Sequence, residues 1–162
     1  MVSQILIPTG RQGTSEVLAH MARLVRESAR EPLVRHMSVD LVRSVYASHY
    51  ADVVWGLKNF FMRHFRFIDE PDEMIAAPSR LLRAIREAGA AWGDCDDAAV
   101  LAAAMLYSLG FGVRFRAVIE QPDGSFGHVF AEYKAPDSSL WLIFDPTVPF
   151  RPTYDSSLLQ EV

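Results

Sequence analysis

A chain of 162 residues, half of them hydrophobic and 22% charged, is expected to fold as one domain with its own buried core. Its formal net charge of -4 argues against nucleic acid or an anionic membrane as the main partner. A single cysteine excludes an internal disulfide framework and fits a reducing compartment. Met1 to Gly10 lacks the basic and long apolar regions of a signal peptide, and no run reaches the ~18 apolar residues of a membrane span. The expectation is a soluble, cytoplasmic protein.

Ile5, Leu6 and Ile7 form a short apolar segment ended by Pro8 and Gly10. Thr14 or Ser15 can then cap a helix whose apolar stripe is Val17, Leu18, Met21, Leu24 and Val25, with Pro32 closing the segment. A second helix is expected from about Ser38, with Val39, Val42, Val45 and Tyr46 inward. A third runs from Asp52 to about His64 and carries Val53, Val54, Trp55, Leu57, Phe60 and Phe61. Phe65 to Ile68 alternates and reads as extended, and Asp69 to Pro78 as an acidic, proline-bounded loop. Ser79 offers a cap for a short helix with Leu81, Leu82 and Ile85 inward, stopped by Gly89.

A tight Trp92-Gly93-Asp94 turn then leads into Cys95 and an alanine-rich run with no breaker before Gly110. The run is apolar on almost every face, which predicts a buried central helix with Cys95 in its first turn. After Gly110 the period changes to two. Val113–Ile119, Phe126–Tyr133 and Leu140–Phe144 read as strands, separated by turns at 121–125 and 135–139. Short connections imply antiparallel pairing. The tail from Ser156 to Val162 stays unassigned and is expected to fray. The predicted class is α+β: a helical N-terminal half and a central Cys-bearing helix packed on an antiparallel sheet.

Alternation places Phe126, His128, Phe130 and Glu132 on one face of the second strand, and Trp141, Ile143 and Asp145 on one face of the third. If these strands are antiparallel neighbours, His128 and Asp145 come within hydrogen-bonding reach. If the same face packs on the cysteine helix, His128 meets Cys95. A thiolate nucleophile, an imidazole that moves protons and a carboxylate that orients the imidazole are the parts of a thiol hydrolase. The plainer alternatives stay open at this point: a buried cysteine acting as a small hydrophobe, and a core histidine with a satisfied hydrogen bond.

The segments Gly93-Asp94-Cys95-Asp96-Asp97-Ala98, Gly127-His128-Val129-Phe130-Ala131-Glu132 and Trp141-Leu142-Ile143-Phe144-Asp145-Pro146-Thr147 resemble, in order, the core motifs of the transglutaminase-like superfamily of papain-like cysteine enzymes. The likeness spans roughly Val54 to Pro149, and is closest to small bacterial and phage proteins with a Gly-Asp-Cys-Asp-Asp motif. It implies one transglutaminase-like domain over 1–162, with a helical N-terminal extension at 1–50 and the core at 54–149. It also implies Cys95 as nucleophile, His128 as base and acid, and Asp145 as orienter. The Cys95 N–H is the family's candidate oxyanion donor, and the Trp55 indole is a second, unless Trp55 is simply core.

The expected activity is therefore a peptidase, amidase or transamidase working through an acyl-enzyme on a protein or peptide substrate, with hydrolysis preferred and no cofactor required. Asp94, Asp96 and Asp97 depart from the family pattern, since negative charge beside a thiolate opposes its formation. The rival reading is the same fold used without catalysis, as a binding or assembly module of phage type. A third is a thiol serving only as a redox sensor. No second cysteine and no H-E-x-x-H is present, so no metal site is expected, and no acidic loop has calcium spacing. His20, His36, His49 and His64 read as surface or partly packed residues, and Arg114 and Arg116 as a solvated face.

Overall fold

The helix that follows the lone cysteine, α5 (Cys95–Ser108), is the axis on which the other elements pack. From Ala98 to Leu106 every side chain is buried, so this helix has no polar face and requires neighbours on all sides. Gly110 ends it in the left-handed conformation (φ 89°), where a Cβ would be strained. The computed structural model describes residues 10–68, 74–119, 126–147 and 157–162. The apolar Ile5–Ile7 segment, the turn at 121–125 and most of the acidic stretch before Met74 lie outside the described residues.

Four helices and a short parallel ribbon cover one side. They are α1 (Gly10–Ser28), α2 (Pro32–Ser44), α3 (Tyr50–His64) and α4 (Pro78–Ala88), with β1 (Phe65–Phe67) and β2 (Ala91–Gly93) between them in chain order. The stripe Val17, Leu18, Met21 and Val25 of α1 enters the same core cluster as α5, so the N-terminal helices are part of one core and not an appendage. The α1 helix begins earlier than its expected cap, and the Thr14 hydroxyl donates back to the Gly10 carbonyl from within the helix.

Pro32 opens α2 instead of only closing α1. At a first helical position the missing N–H costs nothing and the fixed φ is already helical, and Pro78 opens α4 in the same way. Ser38 is therefore mid-helix and buried, its hydroxyl bonded to the Val34 carbonyl; Val34, Ser38 and Leu41 are the fully buried residues of α2, and Val42, as expected, packs against the core. Tyr46, expected inward, is 91% exposed.

On the other side, β3 (Gly112–Ile119), β4 (Phe126–Lys134), β5 (Leu142–Phe144) and β6 (Ser157–Glu161) make an antiparallel sheet in the order β5-β4-β3-β6. The tail expected to fray is thus a strand, because β3 otherwise exposes an edge of unpaired N–H and C=O groups. The stretch expected as a turn at Trp92 is also partly a strand: Ala91–Gly93 pairs in parallel with Phe65–Phe67 after α4 returns the chain. α+β is the observed class.

The sheet face in the α5 core carries Val113, Phe115, Ala117, Val129, Ala131 and Phe144. By alternation His128, Phe130 and Glu132 belong to the opposite face, contrary to the expectation that the His128 face packs on the helix. On that outer face Glu132, only 5% exposed, bonds the Nε atoms of both Arg114 and Arg116. Arg116 also donates to the Ser157 hydroxyl of β6 at 2.8 Å. Arg114 and Lys134 both lie over the Trp141 ring, 4.3 and 4.8 Å from its centroid. The two arginines read from sequence as solvated are a structural ion-pair cluster, because cross-strand register sets them against a buried acid.

Candidate active site

His128 Nε2 lies 2.6 Å from Asp145 Oδ2, with both side chains largely shielded from solvent. The bond follows from strand register: Ala131 pairs with Phe144, so Asp145, one residue past β5, lies across from the His128–Phe130 end of β4. Asp145 is held in turn by Thr147, whose N–H and hydroxyl donate to Oδ1 at 3.0 and 2.7 Å. Cys95 lies close enough to the same imidazole to act on its charge. With Nε2 engaged by Asp145, Nδ1 is the ring nitrogen left for the thiol.

The ladder is irregular just beside His128, whose ring stays next to that of Phe130, 5.9 Å between centroids. Val118 pairs with His128 but Ile119 pairs with Phe126, leaving Gly127 as an extra residue in β4. Such a bulge increases the local twist.

The charges agree with this geometry. Burial alone would lower the His128 pKa, but hydrogen bonds to Asp145 and Cys95, with the charges of both, outweigh it and hold the imidazolium to about 9. Burial would likewise raise Asp145. The bond from His128 and the two from Thr147 prevail and keep it below the usual carboxylate value.

The three aspartates around Cys95 have separate tasks. Asp94 is the N-cap of α5, and its Oδ1 accepts the N–H groups of Asp96 and Asp97. Asp97 folds back under β2 and accepts the Ala76 N–H at 2.6 Å. It fits only because residue 93 is glycine, since a Cβ there would fall 2.5 Å from Asp97 Oδ2. Asp96 is 5% exposed, and its pKa is pushed up to about 10, first by burial and then by its hydrogen bond to Asp94 and the neighbouring charges. Asp96 is thus a neutral acid at pH 7, and the crowding of charge expected beside the thiolate is one charge lighter. One oxygen from each of these three residues lies within 4.8 Å of the others.

This assignment predicts that Asp96→Asn, which removes the need to bind a proton, stabilises the fold at pH 8 by about 2 kcal/mol or more. A folded pKa above the unfolded one gives stability that is full below the unfolded value of 3.8 and lost as pH rises toward about 10. The advantage of the variant must therefore shrink toward pH 4. Urea unfolding at the two pH values reads it, and a variant no more stable than the parent at pH 8 contradicts it.

Capping by Asp94 also leaves one first-turn donor open. Among the described residues the Cys95 N–H has no acceptor, while those of Asp96, Asp97 and Ala98 are taken. It points from the positive end of a helix beside the sulfur, where an oxyanion donor is required.

Trp55 is not brought to this site. Tyr50 packs edge-on against Phe111, just past the C-terminal end of α5, whereas β1 after α3 pairs with β2 before α5. The two helices are therefore antiparallel, and Trp55 lies nearer the far end of α5 than Cys95. It is 64% exposed and faces a groove between α2 and α3, so it is not core either. Of the remaining histidines, His20 contacts Arg23, His36 pairs with Asp40 and His64 Nδ1 donates to the Gly89 carbonyl. The N–H groups of Ser48 and His49 both donate to Asp52 at the start of α3.

Among the described residues, no helix is long and apolar enough to cross a membrane. Comparison with protein-family models, with curated proteins and with solved structures found no match.

Proposed function

We propose that this chain is a thiol enzyme of the transglutaminase-like, papain-like type, cleaving an amide bond through an acyl-enzyme. The observation that carries the reading is the short His128–Asp145 hydrogen bond with Cys95 beside the same imidazole. The three sequence motifs, in order, and a cysteine-bearing helix followed by an antiparallel sheet support it.

The Cys95 thiolate attacks the amide carbonyl, forming a carbon–sulfur bond while the carbonyl pair moves onto oxygen beside the Cys95 N–H. His128, as imidazolium, gives its proton to the departing nitrogen as the carbon–nitrogen bond breaks. The neutral imidazole then takes a proton from water, whose oxygen attacks the thioester and releases the acid and the thiolate. Asp145 fixes the ring so that Nδ1 stays on the sulfur and offsets the imidazolium charge. An amine in place of water yields transamidation by the same steps, and hydrolysis is preferred because water is always present. The substrate is a protein or peptide amide, and neither metal nor cofactor is needed.

A reporter ester tests the acyl-enzyme without knowledge of the natural substrate. With p-nitrophenyl acetate the protein is expected to give a nitrophenolate burst stoichiometric with Cys95 and an acetylated Cys95 detectable by intact mass. Both are absent in Cys95→Ala. A burst that survives in that variant, or none in the parent, overturns the reading and favours the binding or assembly role.

A further inference from the structure

The groove that receives Trp55 has a second oddity beside it. Tyr46 adopts φ 48° and is the only non-glycine residue with positive φ among the described residues. It stands just past the end of α2, where the Ala47 N–H bonds the Val42 carbonyl and the Tyr46 N–H bonds that of Arg43. This is the left-handed position at which helices usually place glycine. A tyrosine there is strained, and its ring, 91% exposed, regains nothing from burial. Neither backbone preference nor core packing accounts for the residue.

The cavity beside it measures about 460 Å³, the size of a small-molecule site. Its floor exists because α2 and α3 approach closely, and a Cβ on Gly56 would meet Val45 Cγ1 at 2.7 Å. Aromatic rings of Tyr46, Trp55 and Phe60 line it, together with Asn59, Arg63 and His64. No acid is on the wall. Arg63 has no ion-pair partner among the described residues. His64 already donates Nδ1 to the Gly89 carbonyl and packs at a tilt on Phe60, 5.1 Å between ring centroids, which fixes its ring. Flat apolar surfaces with one unmatched guanidinium complement a flat, negatively charged molecule.

We propose that the α2–α3 groove is a binding site for a small aromatic carboxylate, its ring held by Tyr46 and Trp55 and its carboxylate by Arg63. None of the groove residues belongs to the Cys95 triad, so this site stands whether or not the amide chemistry does.

The indole N–H signals in a proton–nitrogen correlation spectrum read the site directly, with Trp55 assigned by Trp55→Phe. Titration with naphthoate is expected to shift the Trp55 signal saturably while Trp92 and Trp141 stay in place. Naphthamide binds more weakly, and naphthylmethylammonium more weakly still. Arg63→Ala is expected to weaken naphthoate about 10-fold and naphthamide hardly at all. Tyr46→Gly weakens both about 5-fold, while its unfolding midpoint rises by a few degrees as the strain is relieved, which separates lost binding from lost folding. An unmoved Trp55 signal, equal binding of the ammonium probe, or unchanged affinity in Tyr46→Gly overturns the proposal.

Discussion

Glu132→Ala is expected to destabilise the fold by about 3–5 kcal/mol, a fall in unfolding midpoint of roughly 10 °C or more for a domain of this size. Among the described residues Glu132 is the only acid ion-paired with Arg114 and Arg116, and the side chains of all three are at least three-quarters shielded. Removing it leaves two facing guanidinium groups short of a counter-charge in the middle of the sheet, and loosens Arg116, the group that ties β6 to β3 through Ser157. The cost belongs to the broken cluster and not to the worth of an ion pair as such. Replacing all three residues by apolar ones of similar volume should therefore recover most of the loss. Chemical denaturation of the single and triple variants measures both parts. A single variant within about 1 kcal/mol of the parent would contradict the cluster's role.

The second large effect is on the reactivity of Cys95. The imidazolium of His128 persists to about pH 9, so the thiol faces a positive charge across the neutral range. His128→Ala removes that charge and is expected to slow alkylation of Cys95 at pH 6 by about 100-fold or more. The linkage has a definite sign. A raised folded pKa means the His128 contribution to stability is full below about 6.5 and is lost as pH rises through about 9. Asp145, depressed in the fold, contributes above its unfolded value of 3.8 and loses that contribution as pH falls through the lowered one. The dyad thus stabilises the protein most between about pH 4 and 6.5, and each limb should vanish in the corresponding variant.

Long periodic elements were legible from sequence: α5 from its unbroken apolar run, α3 from its spacing, and β3 and β4 from alternation bounded by turn residues. The antiparallel neighbours that join His128 to Asp145 also followed from short connections. What escaped depended on tertiary pairing. The alternation at Phe65–Phe67 was legible as extended, but residues 91–93 are too short to show a period, and become a strand because α4 brings them beside 65–67. Ser157–Glu161 has no alternation to read, and is ordered by the open edge of β3. The bulge at Gly127 leaves no trace beyond a glycine before a histidine. Proline at 32 and 78 is ambiguous in a sequence, since it stops one helix as readily as it starts the next. The proton on Asp96 was hidden for a different reason: acidity depends on burial, and the three aspartates flanking Cys95 look alike until the fold places them.

The central claim is an activated thiol at the head of α5. Its most direct test is the rate of Cys95 alkylation by iodoacetamide against pH, in the parent and in His128→Ala. The account predicts labelling of the parent at pH 6 that is about 100-fold faster than that of the variant. Equally slow labelling of both proteins would contradict it.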